Sequence, residues 1–374
     1  MNATHRAARR TAAAVIVGAL VTASATTTGV AQSSSTTTST TGAPRKFPLI
    51  APGGLRPILK RERRAARRAA GTTSTTSPPT TTAPTTTAIP GTATPYPVAE
   101  AHRTFVDHSR GTPARGHTGA SSSREIATTI YYPSSAPPTA QNGGVVHPAV
   151  GPFPLIVFAH GYAIDAAAYA PLLRDLAEGG FVVAAPDFPG TSTAYPGAAI
   201  RSDSLQQPGD ISFVITSVLE ISAAPGVLHK VVNPDAVGDS GQSDGGVTAA
   251  AAAYNTCCID PRIKASTILT GGAFGFDGQW FPPGTPPVMF VHATADEVNP
   301  YGASTSMFSQ AQSPKYLMTI EGGSHLEVYV DPPWEPHVAA AMVAFFDLYL
   351  KGDAAAAQRL EAAATQPGYM LEVG

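Results

Sequence analysis

The chain has 374 residues, of which 43% are hydrophobic, with 35 glycines and 35 prolines. This is enough apolar material for one large core, although not along the whole length. Residues 1–70 hold 12 of the 24 Lys and Arg but only one of the 26 acidic residues, so the remainder is strongly acidic. A folded region with that charge is not expected to bind nucleic acid, which requires a basic face, or to steer anionic substrates.

The N-terminal segment has the pattern of a secretory signal peptide. An apolar run at residues 11–25 follows several arginines and ends in small residues near Ala25. We assign residues 1–31 to the signal and expect export by the Sec route or, given the pair Arg9-Arg10, by the Tat route. An uncleaved membrane anchor is the alternative, but it needs about 20 apolar residues. The protein is therefore expected to be secreted or associated with the cell wall.

Residues 32–98 are dominated by Ser, Thr and Pro, with little that could pack into a core. This composition predicts a disordered stalk. Within it, the basic segment KRERRAARRAA at 60–70 could make a weak contact with an anionic cell surface. The simpler interpretation is a run of charges that is exposed to solvent.

Residues 99–374 alternate apolar runs with helical periods, which predicts an α/β domain with a mainly parallel central sheet and helices on both faces. The segment between 271 and 286 is short, so no large lid is expected. The predicted strands are 124–133, 154–159, 181–187, 264–270, 287–293 and 315–320. The predicted helical faces lie at Tyr169–Leu176, Ile211–Ile221 and Pro336–Lys351.

The stretch VGDSGQSDGG at 237–246 contains two serines, and only Ser243 has glycines on both sides in the pattern G-x-S-x-G. A tight strand-to-helix turn needs those glycines because a Cβ would collide with its neighbours. Ser243 is therefore the predicted nucleophile, while Ser240 matches only half of the pattern. Asp239, in the strand that leads to this turn, would be costly if it were buried without a partner.

Two further reactive side chains follow predicted strands. Asp296 comes after the strand at 287–293, with Glu297 as a second choice, and a helix N-cap is the structural alternative. His325 follows the strand at 315–320 behind two glycines. Because strand ends meet at one edge of a parallel sheet, Ser243, Asp296 and His325 are predicted to form a catalytic triad in the chain order Ser, Asp, His.

The backbone N–H groups of Tyr162 and Asp244 are predicted to form an oxyanion hole, the first after the strand at 154–159 and the second directly after Ser243. His160 is expected to brace the turn that carries Tyr162. A turn formed only for packing is the alternative.

Four aromatic residues are predicted to wall an open substrate cleft, although they could equally belong to the core: Tyr162, Phe274, Trp280 and Phe281. The only cysteines, Cys257 and Cys258, are adjacent and cannot link distant segments. A bond between them would be strained, and pairing with another molecule is left open. Both are expected to be core or near-surface residues at a helix end, and the sequence does not settle their redox state.

These segments resemble the α/β-hydrolase superfamily over about residues 100–352. The resemblance is carried by HGY, GQSDGG, ATADEVNP and GGSH. It is strongest for the secreted bacterial branch that is similar to platelet-activating-factor acetylhydrolases, chlorophyllase-like esterases and cutinase-type polyester hydrolases. The resemblance implies Ser243 as nucleophile, Asp296 as acid and His325 as base.

The function expected from the sequence is hydrolysis of carboxylic esters by a secreted serine enzyme, with a small-molecule, lipid or polymer ester as substrate and with neither a cofactor nor a metal. An exported acyltransferase or a peptidase would use the same triad. A non-catalytic protein that binds the cell wall is the alternative outside enzymes. The sequence leaves the acyl and alcohol specificity and the oligomeric state open.

Overall fold

The computed structural model describes residues 95–137 and 148–374. The predicted signal peptide at 1–31, and the stalk at 32–98 up to residue 94 with its basic segment, lie outside the described residues. In the part of the chain that is described, no helix combines the length and apolar character needed to cross a membrane.

The described residues form a nine-stranded sheet with the order β1-β2-β4-β3-β5-β6-β7-β8-β9. The six strands from β3 to β8 run parallel, while β1, β2 and β9 are antiparallel to their neighbours. The strands are β1 (Val98–Asp107), β2 (Arg124–Pro133), β3 (Phe153–Ala159), β4 (Val182–Asp187), β5 (Val232–Gln242), β6 (Ile263–Leu269), β7 (Val288–Ala293), β8 (Lys315–Ile320) and β9 (Tyr369–Val373).

The strands β3 and β7 are nearly continuous apolar runs because both of their faces are covered. Every residue of β3 and β7 is buried. In the register of β3, Leu155 lies opposite Val182 of β4 on one side and Val237 of β5 on the other. The predicted α/β class with a mainly parallel sheet is confirmed.

Helices pack on both faces of the sheet and enclose two apolar clusters. One cluster includes Leu172 and Phe345, and the other includes Ile211 and Met307. The helices are α1 (Ala170–Glu178), α2 (Gln207–Ala223), α3 (Asp244–Tyr254), α4 (Gly302–Gln310), α5 (Glu335–Leu350) and α6 (Ala356–Ala364). Short 3₁₀ helices occupy Ala166–Tyr169, Arg201–Gln206 and Glu327–Tyr329.

The parallel strands bring their carboxyl ends to one edge of the sheet. At this edge β3 is followed by His160, β5 by Ser243, β7 by the turn with Asp296, and β8 by the loop with His325. Ligands and reactive groups gather at this edge in open α/β sheets.

Cys257 and Cys258, whose state the sequence left open, are joined by a disulfide bond. They lie in the turn after α3, where the Cys258 N–H donates to the Asn255 carbonyl at 2.9 Å and the Cys257 N–H donates to Asn255 Oδ1 at 3.0 Å. This turn brings the two neighbouring side chains together, a local geometry that the spacing of the cysteines does not reveal.

Candidate active site

Ser243 lies in the turn between β5 and α3 with a φ of 59° and a ψ of −123°. A residue with a side chain is strained in this region, so the surroundings must hold it there. The flanking glycines permit the turn. A Cβ on Gly241 would lie 2.2 Å from the Gly245 carbonyl oxygen, and a Cβ on Gly245 would lie 2.0 Å from the Ala159 carbonyl oxygen.

Ser240 differs from Ser243 in its environment. It is fully buried within β5, and its hydroxyl accepts a hydrogen bond from Thr267 Oγ1 at 2.8 Å. Its side chain is therefore part of the packing between neighbouring strands, and Ser243 is the serine of the pair that meets an imidazole.

The three side chains predicted to form a triad are in contact. His325 Nε2 lies 2.8 Å from Ser243 Oγ, and His325 Nδ1 lies 2.8 Å from Asp296 Oδ2. Because a carboxylate only accepts hydrogen bonds, Nδ1 carries the proton and donates to Asp296. Nε2 is then unprotonated and accepts the hydrogen bond of the Ser243 hydroxyl.

Asp296 is held as a carboxylate by several donors. Burial alone would raise its pKa, but hydrogen bonds from His292, His325 and Thr270, together with the charge of His325, hold the pKa well below its ordinary value. The backbone N–H groups of Val298 and Asn299 also donate to Oδ1, each at 2.8 Å. The acid therefore stays ionised and fixed in one orientation.

His292 is a member of this cluster that the sequence did not identify. Its Nε2 lies 2.9 Å from Thr270 Oγ1, 3.2 Å from the Asn299 carbonyl oxygen and 3.3 Å from Asp296 Oδ2, while its Nδ1 lies 2.7 Å from Ser304 Oγ. The carbonyl and the carboxylate only accept hydrogen bonds, and the Thr270 hydroxyl donates to Asp296. Nε2 is therefore protonated, and Nδ1 accepts from Ser304. The spacing of four residues between His292 and Asp296, across the end of β7, is the only sequence signal for this contact.

Glu297, the second choice for the acid, contacts the backbone of His325 instead of its ring. Its Oε2 accepts a hydrogen bond from the His325 N–H at 3.2 Å. Gln242 holds the same loop, because its Nε2 donates to the His325 carbonyl at 2.9 Å. Its Oε1 in turn accepts a hydrogen bond from the Tyr169 hydroxyl at 2.7 Å. Both contacts help to hold the imidazole beside the serine.

The two residues predicted for the oxyanion hole border the same edge. Asp244 is the first residue of α3, whose N-terminal dipole favours negative charge. Tyr162 follows β3 in a turn braced by His160, whose Nδ1 donates to the Gly161 carbonyl at 2.7 Å and whose Nε2 accepts from the Phe188 N–H at 3.0 Å. Neither the Tyr162 nor the Asp244 backbone N–H has an acceptor among the described residues.

The four predicted cleft residues differ in burial. Tyr162 is half-buried and Phe274 is 46% exposed in the loop after β6. Phe281, in contrast, is buried and stacks on Tyr254 with ring centroids 5.3 Å apart. Its assignment to the cleft was wrong because its backbone is bound to the C-terminal end of α3, where its N–H donates to the Tyr254 carbonyl at 2.7 Å.

Trp280 is half-buried and pairs with Asn255 in an isolated β-bridge, directly after the end of α3. Its ring packs against those of Phe276 and Phe281, with centroids 6.3 and 6.4 Å apart. Its place in the cleft stays a prediction. Aromatic character alone does not separate a cleft wall from a core residue.

Comparison with known proteins agrees with this architecture. The family model described as Chlorophyllase matches residues 117–271, a range that includes Ser243 and ends before Asp296. A solved ferulic acid esterase from Streptomyces cinnamoneus is similar with a TM-score of 0.53 and 21% identity, covering 71% of this chain and 93% of that chain. No curated protein sequence matches the chain. Together with the sheet order, these similarities show that the described residues have the α/β-hydrolase fold.

Proposed function

We propose that this protein is a serine hydrolase that cleaves carboxylic esters through an acyl-enzyme formed on Ser243. The observation that carries the proposal is the unbroken hydrogen-bond chain from the Ser243 hydroxyl through His325 to Asp296, with both distances at 2.8 Å. A serine hydroxyl is a poor nucleophile at its own pKa, and this arrangement is the one that activates it.

In the acylation step, His325 Nε2 accepts the proton of the Ser243 hydroxyl while Oγ forms a bond to the ester carbonyl carbon. The negative charge that develops on the carbonyl oxygen is stabilised by the N–H groups of Tyr162 and Asp244. The imidazolium of His325 then donates its proton to the departing alkoxide, which leaves as the alcohol. Asp296 stabilises the imidazolium and keeps the ring in the required orientation.

In the deacylation step, a water molecule takes the place of the alcohol. His325 removes one proton from the water, whose oxygen attacks the acyl carbon of the ester on Ser243. Collapse of the second tetrahedral intermediate releases the carboxylic acid and returns the proton to Ser243. Every step is a proton transfer or an acyl transfer, and the three side chains end in their starting states.

The similar proteins favour ester cleavage over acyl transfer and peptide cleavage, the other reactions that such a triad can catalyse. The solved neighbour is a ferulic acid esterase, and the matching family model is that of chlorophyllases. The proposed substrates are therefore esters of small molecules, lipids or polymers. We also place the protein outside the cell, on the strength of the signal-like pattern at residues 1–31. N-terminal sequencing of the protein recovered from culture medium tests the export.

The direct test is to compare Ser243→Ala with Ser240→Ala in hydrolysis of a short p-nitrophenyl ester. Ser243→Ala is expected to lower kcat by at least about 1,000-fold, with the circular dichroism spectrum unchanged. Ser240→Ala is the matched control, three residues away, and is expected to keep its turnover. Equal activity of the Ser243→Ala variant and the original protein would overturn the proposal, and product analysis with a competing alcohol separates hydrolysis from acyl transfer.

A further inference from the structure

Arg201 links the two residues of the proposed oxyanion hole. It is the first residue of the 3₁₀ helix Arg201–Gln206, in the long connection between β4 and α2. Its Nη1 donates to Asp244 Oδ2 at 2.7 Å, and its Cζ lies 4.2 Å from the centroid of the Tyr162 ring. One guanidinium thus contacts the side chains of both residues whose N–H groups would receive the oxyanion.

The loop that precedes Arg201 is fixed by other contacts. Arg115 is buried, and its guanidinium donates to the carbonyls of Pro189, Ser192, Gly197 and Ala198 at 2.6 to 3.2 Å. The loop backbone is therefore held from the side of the β1–β2 connection. The ion pair that Arg201 makes with Asp244 is therefore not the only contact that holds this loop.

The Asp244 carboxylate creates an electrostatic problem for the proposed reaction. It belongs to the residue whose backbone N–H would stabilise the oxyanion, so a negative side chain lies near the place where negative charge develops. Repulsion between like charges raises the energy of the transition state, and more so where water is excluded. The Arg201 guanidinium offsets this charge because it lies in direct contact with the carboxylate.

We propose that Arg201 is a positioning residue that neutralises the Asp244 carboxylate beside the oxyanion hole. The inference rests on the proposed function, because it concerns the charge that develops during acylation of Ser243. The guanidinium of Arg201 binds a residue of the protein and not the substrate. We therefore expect its loss to change kcat and to leave KM nearly unchanged. The inference also makes a specific prediction: the harm done by losing Arg201 is reversed when the Asp244 charge is lost as well.

The test is a double-mutant cycle on kcat and KM for a neutral p-nitrophenyl ester. Arg201→Met is expected to lower kcat about 10-fold with little change in KM, because the Asp244 carboxylate becomes uncompensated. Adding Asp244→Asn to Arg201→Met is expected to return kcat to within about threefold of the original protein. Arg201→Lys, which keeps the charge, is expected to retain most of the activity.

Arg174 provides a matched control. Its side chain is 47% exposed, as is that of Arg201, and it forms an ion pair with Glu100 and lies 5.5 Å from the Tyr131 ring centroid. It belongs to α1, away from the serine. Arg174→Met is expected to leave kcat unchanged, which shows that loss of a half-exposed arginine in this kind of contact does not itself reduce turnover.

Three results would overturn the inference. The first is a kcat of Arg201→Met within twofold of that of the original protein, and the second is a change confined to KM. The third is an equal loss of kcat in Arg201→Met and in the double variant, together with a lower melting temperature. The last would identify Arg201 as an anchor of its loop. Failure of the proposed function is recognised separately, because in that case Ser243→Ala itself retains activity.

Discussion

The imidazole of His292 lies 3.3 Å from Oδ2 of Asp296, the same carboxylate oxygen that accepts the hydrogen bond of His325. The acid is thus held between two imidazoles, one at the end of β7 and one in the loop after β8. His292 is fully buried, and its other ring nitrogen is satisfied by Ser304. The orientation of the His292 ring is therefore set by contacts within the protein.

His292→Phe is expected to lower kcat about 10-fold while KM changes little, because the carboxylate loses a donor that fixes its orientation. Ser304→Ala removes only the support of the His292 ring and is expected to give a smaller loss in the same direction. Steady-state kinetics on one ester measures both. A His292→Phe variant with unchanged kcat would show that His325 alone is enough to orient Asp296.

Gly245→Ala is expected to disrupt the turn between β5 and α3, because the added Cβ would lie 2.0 Å from the backbone carbonyl oxygen of Ala159 in β3. The predicted result is a loss of most activity and a free energy of unfolding lower by about 3 kcal/mol or more. Gly302→Ala is the control, since a Cβ there meets nothing within 4 Å. Comparable stability of the two variants in denaturant titrations would contradict the structure of the turn.

The buried carboxyl of Glu335 predicts a pH dependence of stability. Burial, with a smaller contribution from Asp175, raises the pKa of Glu335 to about 8 from an ordinary value of 4.5. As the pH rises, Glu335 loses its proton at a lower pH in the unfolded chain than in the folded protein. High pH therefore favours the unfolded chain. The contribution of Glu335 is present at acidic pH and is lost as the pH rises from about 4.5 to about 8.

Glu335→Gln is therefore expected to raise the free energy of unfolding at pH 8 by about 2 kcal/mol, with a smaller change at pH 4.5. Denaturant titrations at the two pH values provide the measurement. Glu361→Gln, which changes an exposed carboxyl on α6, is the control and is expected to have little effect at either pH. If the free energy of unfolding changed between pH 4.5 and pH 8 by the same amount in Glu335→Gln and in the original protein, the raised pKa of Glu335 would be refuted.

A buried ion-pair network joins Arg124 of β2 to Asp203, in the 3₁₀ helix before α2, and to Asp210 in the first turn of α2, and it predicts a large loss of stability on substitution. The Arg124 guanidinium is fully buried and donates to the carboxylates of Asp203 and Asp210 at 2.6 to 3.0 Å. Arg124→Met would leave two buried carboxylates without this cation and is expected to lower the free energy of unfolding by about 3–5 kcal/mol. Arg103→Met, an exposed position on β1, is the comparison, and equal melting temperatures would contradict the expectation.

The sequence predicted those parts of the fold whose burial leaves a pattern in the chain. The strand at 124–133 coincides with β2, and the run at 315–320 coincides with β8. β1 and β9 were missed because edge strands expose many of their residues and carry no continuous apolar run. Their pairing is decided by the neighbouring strand, which local patterns do not identify.

The candidate site shows the same division. Ser243, Asp296 and His325 were predicted together because parallel topology brings strand ends to one edge, and the structure has them in contact. Arg201 and His292 were missed since their contacts depend on the path of a loop and on the packing around β7. Local motifs therefore identify the groups that follow strands, whereas the residues that support them emerge only from the tertiary structure.

Labelling with a fluorophosphonate followed by peptide mass spectrometry tests most directly whether Ser243 is the nucleophile. The expected result is one phosphonyl adduct per chain, located on Ser243 and absent from Ser240, with labelling strongly reduced in His325→Ala. An intact protein that hydrolyses esters while carrying no adduct on Ser243, or that is labelled equally well without the imidazole, would contradict the proposed mechanism.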